Sequence, residues 1–161
     1  MLRNPLIAMA ILFVPLSFAQ PVSGLETKAW NQESVSELAN EMAGEIKRVR
    51  AAARKEPHII SAGSTGKQRS AALYLDTLKK LDRASAKLAR ELGNGATPQE
   101  TSGIARRVDS LLRDLDEQGA KLHSTEWTNQ FLEPAKKIAD ELRSYYASVS
   151  PKGTSGNEAE S

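Results

Sequence analysis

Leu92-Gly93-Asn94-Gly95-Ala96-Thr97-Pro98-Gln99-Glu100 is the stretch that decides the fold. Its left part ends one helix and its right part starts another. Gly93 suits the left-handed residue that closes a helix, and Asn94-Gly95 makes the turn. Thr97 then supplies an N-cap and Pro98 takes the first helical position, where a missing N–H costs nothing. Glu100 completes a capping box by reaching back to the cap. A connection this short makes the two helices antiparallel neighbours.

Outward from this turn, apolar residues recur every three or four positions, which gives each helix one buried stripe. Upstream, Ala71, Tyr74, Leu78, Leu81, Ser85, Leu88 and Leu92 form the seam of a helix opened by the Thr65-x-x-Gln68 capping pair, with Leu75 beside it. Downstream, Ile104, Val108, Leu111, Leu115 and Leu122 form the next stripe, with Leu112 beside it and Gly119 marking a close helix contact or a bend. A first helix, from near Lys28 or Ser34 to Lys55, carries Val35, Leu38, Met42, Ile46, Val49 and Ala53. Ser34-x-x-Glu37 is its capping pair, and Pro57 stops it. A last helix, from about Thr125 to Val149, presents Trp127, Phe131, Ala135, Ile138, Leu142, Tyr145 and Val149. The stripe keeps its phase across Pro134, so a kink is expected there. Period-two alternation is absent and β-branched residues are few, which argues against strands. The reading is all-α: an up-down-up-down four-helix bundle over residues 28–149. Leu38–Met42, Leu88–Leu92 and Ile138–Leu142 all read apolar-Ala-polar-Glu-apolar, a large residue beside a small one on each seam.

The ends differ from this core. Arg3 is followed by an apolar run from Pro5 to Leu16, and Ser17-Phe18-Ala19 places small residues ahead of a cut before Gln20. That is the layout of a cleavable signal peptide over 1–19. The run is about 12 residues, whereas a membrane-spanning helix needs roughly 20. Residues 20–27 read as a flexible lead-in. Residues 150–161 are Ser, Gly, Glu and Lys around one Pro, too polar to bury a core, and read as a disordered tail. Export is therefore expected. The chain has no Cys and no Asn-x-Ser/Thr site. Both absences favour a bacterial periplasm over an animal extracellular space.

Composition bounds the chemistry. Of 161 residues, 26% are charged and the formal net charge is only +2, so the molecule is no general electrostatic magnet for nucleic acid. Aromatics at 5% are too few for base-stacking platforms. Without Cys there is no disulfide, no thiolate metal site and no thiol nucleophile. The two histidines, His58 and His123, stand far apart in the chain. His123-x-x-Glu126 has no further ligand near it, and paired Glu-x-x-His motifs are missing. Gly63-Ser64-Thr65-Gly66-Lys67 is not a phosphate loop, because Ser61 stands where the first Gly is needed and Gln68 follows the Lys. No Gly-x-Ser-x-Gly elbow is present. The sequence offers no catalytic residues, no metal site and no cofactor site, so a non-enzyme is expected.

Two charged groups remain as candidate contacts. Lys47, Arg48, Arg50, Arg54, Lys55, Lys67 and Arg69 surround the connector between the first two helices. They could meet an acidic protein or an anionic envelope component. Glu33, Glu37, Glu41 and Glu45, four apart, make a carboxylate ridge that could collect cations or a basic partner. In architecture the chain resembles the small periplasmic b-type cytochromes. That resemblance implies haem held between a Met of the first helix and a His of the last. Met42 is on the inner stripe, but Arg143-Ser144-Tyr145-Tyr146-Ala147 occupies the region where the His is wanted. The Leu-Thr-x-x-Gln repeats of periplasmic stress adaptors are also missing. The expected function is binding a protein or an anionic envelope partner, with a haem or redox bundle as the alternative.

Overall fold

A computed structural model describes residues 27–56 and 65–148. The expected signal peptide, most of the lead-in, His58, Gly63, Ser64 and the expected tail lie outside the described residues. Among the described residues the chain is all-helical, with five helices and no strand. They are α1 (Gln32–Ala53), α2 (Thr65–Gly93), α3 (Pro98–Gly119), α4 (Thr125–Phe131) and α5 (Glu133–Ala147).

The central turn forms as its residues dictate. The Thr97 side chain accepts from Glu100 N–H, and the Glu100 carboxylate accepts from Thr97 N–H at 2.7 Å. The left-handed residue is Gly95 (φ 82°), not Gly93. α2 runs one turn-position further than the first glycine suggests. Its end is then closed by Ala96 N–H on Glu91 C=O (3.0 Å) and Gly95 N–H on Leu92 C=O (3.0 Å). That bond pair is a Schellman motif, and it puts the left-handed conformation two residues beyond the last helical one.

Three other boundaries differ from the sequence reading. α1 is capped by Asn31, whose side chain accepts from Ser34 N–H at 2.9 Å, so Ser34 lies inside the helix and cannot serve as its cap. Asn is at least as good a cap as Ser, and it comes first in the chain. Thr65 is the first residue of α2 and so occupies a helical position, not the cap. The last helix is divided at Leu132. The backbone there stays right-handed helical (φ −92°, ψ −37°), and Pro134 falls in the first turn of α5, where its missing N–H is harmless.

The helices share one core. α1 packs against α2 and α5, and α2 packs against α3. Gln32 Nε2 donates to Leu92 C=O at 2.7 Å, which sets the start of α1 beside the end of α2. Lys28 N–H donates to Ser144 C=O at 3.1 Å, and Trp30 meets the Tyr146 ring edge-on at 5.2 Å, so the lead into α1 lies along the end of α5. The fully buried set includes Val35, Met42, Ile46 and Val49 of α1, Tyr74, Leu78, Leu81, Leu88 and Leu92 of α2, and Leu115 and Leu132. The three alanines of the repeated pattern, Ala39, Ala89 and Ala139, are all buried.

On α3 the buried face is Thr101, Val108, Leu112, Leu115 and Gly119, whereas Ile104, Leu111 and Leu122 are half-buried. The stripe is thus rotated from the expected one. A Cβ on Gly119 would come within 3.2 Å of the Tyr74 ring, so this glycine marks a close helix contact. α2 has 29 residues and α1 has 22, about 43 Å against about 33 Å. The first six residues of α2, 65–70, accordingly stand clear of the core and are all exposed.

Candidate functional site

The basic residues named at the connector do not act as one group. Arg50 is half-buried and forms an ion pair with Asp82 of α2. Arg48 donates to both carboxylate oxygens of Glu45 at 2.8 Å. Lys47, Arg54, Lys55, Lys67 and Arg69 remain exposed. Arg69 belongs instead to a longer array. Arg69, Lys80, Arg83, Lys87 and Arg90 recur at spacings that stack on one face of α2, and all five are exposed. The array spans 22 residues of helix, its ends about 31 Å apart. Two acids engage it, Asp76 pairing with Lys80 at 2.7 Å and Glu91 with Arg90 at 3.1 Å. The Lys80 hydrogen bond, aided by the charges of Lys80, Lys79 and Arg83, holds the Asp76 carboxyl below its ordinary range. This stripe was missed because the sequence reading gathered charges by proximity along the chain. The signal was present as helical periodicity.

The acidic ridge does not converge. Glu33, Glu37 and Glu41 are exposed along α1, while Glu45 is half-buried and engaged by Arg48. Among the described residues no three His, Asp or Glu side chains come close enough to hold a metal ion. His123 lies between rings, stacked on Trp127 with centroids 3.8 Å apart and edge-on to Tyr74 at 4.9 Å. The Tyr74 hydroxyl is buried and has no hydrogen-bond partner among the described residues. Burial, and secondarily the charge of Asp116, push it well above its ordinary pKa.

A cleft of about 610 Å³, which no motif in the sequence marks, lies between α3 and α5. Its floor is Met42, Leu88, Val108, Ala139 and Leu142, all core residues. Its mouth is lined by Gln99, Ser102, Arg106 and Ala147. Two polar links join α3 to α5 around it. Thr101 Oγ1 and Tyr146 Oη lie 2.8 Å apart, and Arg143 grips Asp109 through Nε (3.0 Å) and Nη2 (3.1 Å). Arg143 also donates to Asp140 at 2.8 Å. The Asp109 hydrogen bonds are the first cause of the raised Arg143 pKa.

Met42 therefore does sit on a concave site, as a haem ligand would. No imidazole lines that site, and its opposite wall carries Arg143 and Tyr146. The chain matches no protein-family model, no curated protein and no solved structure.

Proposed function

We propose that this protein is an exported, non-catalytic, up-down-up-down four-helix bundle that works by binding an anionic partner. The partner is an acidic protein face or an anionic component of the cell envelope, and the periplasm is the favoured compartment. The observation that carries the reading is the α2 stripe of Arg69, Lys80, Arg83, Lys87 and Arg90, exposed over about 31 Å. Lys47, Arg54 and Lys55 extend the positive charge at the end of α1. A row of like charges on one helix costs repulsion, and an anionic surface relieves it by neutralising several cations at once. The antiparallel contacts of α1, α2, α3 and α5 support the bundle. The Pro5–Leu16 run and Ser17-Phe18-Ala19 support export.

The test is sedimentation of the purified protein with vesicles of anionic or neutral lipid and with an acidic polypeptide, over a range of salt. Binding to at least one anionic probe is expected, falling with salt and lost in a variant with Arg69, Lys80, Arg83 and Lys87 changed to Gln. Equal binding to neutral vesicles, or full binding by that variant, refutes the reading. The second reading, a haem bundle, is favoured by Met42 on the cleft floor. It demands a Soret band on haem titration that is lost in Met42→Leu.

A further inference from the structure

We propose that the cleft between α3 and α5 binds a small amphipathic anion, with an apolar body and a single carboxylate-like head. The body rests against Pro98, Ala105, Tyr146 and Ala147, over the buried floor, and the head meets Arg106.

The cleft's volume, about 610 Å³, falls in the ordinary range of small-ligand sites. It exists because two seam positions carry alanine. The inward positions of α3 follow the series 101, 105, 108, 112 and 115, and Ala105 is the smallest of them. Ala139 faces the same space from α5. A Leu at either site would cover apolar lining that the present side chains leave open, for Pro98, Ala105, Tyr146 and Ala147 are not buried, whereas the floor beneath them is. Uncovered lining forgoes roughly 25 cal/mol for each Å² of apolar surface. That loss is recovered when an apolar guest enters.

The cleft is also preformed. The Thr101–Tyr146 link and the Asp109–Arg143 pair tie its two walls together at separate heights. Thr101 is itself anchored, since its hydroxyl also reaches Thr97 C=O at 2.9 Å. Fixed walls reduce the ordering that a guest must impose.

The charges select the guest. Asp109, the one acid on the lining, is already engaged by Arg143, which it shares with Asp140. Arg106 lines the mouth, is exposed and has no ion-pair partner among the described residues. Arg106 is therefore the charge on the lining still free to take a guest, and a guanidinium binds a carboxylate through two parallel N–H donors. Ser102 adds a hydroxyl beside it. The proposal is independent of the basic stripe on α2, which supplies only Leu88 to this site.

The experiment is isothermal titration of the purified protein with sodium decanoate, decanol and decyltrimethylammonium, each as monomer in solution. Decanoate is expected to bind saturably at one site. Decanol should bind about tenfold more weakly, and the alkylammonium more weakly still. Arg106→Gln should weaken decanoate by about tenfold and leave decanol unchanged. Ala105→Phe should abolish binding of all three while vesicle binding is retained. Ala139→Leu serves the same purpose should Ala105→Phe lose its native circular dichroism. The proposal is overturned by absence of saturable decanoate binding, by equal binding of decyltrimethylammonium, or by full decanoate affinity in the folded cleft-filling variant.

Discussion

Replacing Tyr74 with Phe should stabilise the protein, although it removes a polar group from a native core. Tyr74 is fully buried, and its hydroxyl finds no hydrogen-bond partner among the described residues. An unsatisfied buried hydroxyl costs about 1–3 kcal/mol in lost hydration. Deleting the oxygen forfeits a few dispersion contacts worth about 0.1–0.2 kcal/mol each. The ring stays in place, edge-on to His123 at 4.9 Å. The balance is a gain of about 1 kcal/mol, which in a domain of this size raises Tm by about 4 °C. A pH signature accompanies it. Burial raises the folded pKa of Tyr74 above the unfolded value. Its contribution is complete below the unfolded tyrosine pKa, near 10, and is lost as pH climbs beyond it. Tyr74→Phe should therefore lose less stability between about pH 9 and pH 11 than the parent chain. Urea unfolding followed by far-ultraviolet circular dichroism at three pH values gives both quantities. A loss of 1 kcal/mol or more at pH 7 (about 4 °C in Tm) would refute the reasoning, because it would mean that the hydroxyl is satisfied through a bound water.

Four further substitutions probe other parts of the structure. Gly119→Ala places a Cβ 3.2 Å from the buried Tyr74 ring. The helix gains about 1 kcal/mol in propensity, but moving a packed ring costs about 1–3 kcal/mol, so a net loss of about 1 kcal/mol in urea unfolding is expected. Thr97→Ala removes the cap of α3 and should cost about 1 kcal/mol by the same measurement. Glu100, held below its ordinary pKa first by Thr97 N–H and then by the Thr97 hydroxyl, contributes stability above the unfolded carboxyl pKa and loses it as pH falls through the lower folded value. Glu100→Gln should consequently show a shallower fall in Tm below about pH 4.5. Arg143→Met leaves Asp109 without its cation. Because the Arg143 side chain is 39% exposed, solvent screens the pair and the expected loss is no more than about 1 kcal/mol. A much larger loss would mean that the link across α3 and α5 holds the walls together, and not merely at a fixed spacing.

What could be read in advance follows the range of the forces involved. The α3 cap was legible because Thr97, Pro98 and Glu100 satisfy the helix end among themselves. The seam of α2 was legible because Tyr74, Leu78, Leu81, Ser85, Leu88 and Leu92 are all buried at one helical period. The face of α3 was not. Counting apolar residues chose Ile104 and Leu111, but the structure buries Thr101 and Gly119. Thr101 can be buried because Thr97 C=O and the Tyr146 hydroxyl satisfy its oxygen, and Tyr146 stands 45 residues away. Gly119 is buried because the Tyr74 ring needs the space, and that contact also crosses helices.

The functional surfaces obey the same division. Charges grouped by chain proximity overstate the connector, since Arg50 is claimed by Asp82, 32 residues on, and Arg48 by Glu45. Charges grouped by helical angle recover the α2 stripe, because Arg69, Lys80, Arg83 and Lys87 share a face whatever lies between them. The cleft is of a third kind. It is made by what Ala105 and Ala139 lack, and an alanine on a seam looks the same in a sequence whether its neighbour fills the gap or leaves it open. Only the spacing of α3 from α5 decides between the two, and that spacing is held by Thr101–Tyr146 and Asp109–Arg143. The two surfaces therefore sit on different helices and answer to different substitutions. Gln at Arg69, Lys80, Arg83 and Lys87 should silence the stripe and leave decanoate binding intact. Phe at Ala105 should do the reverse. Joint loss in either variant would mean that a single binding event uses both.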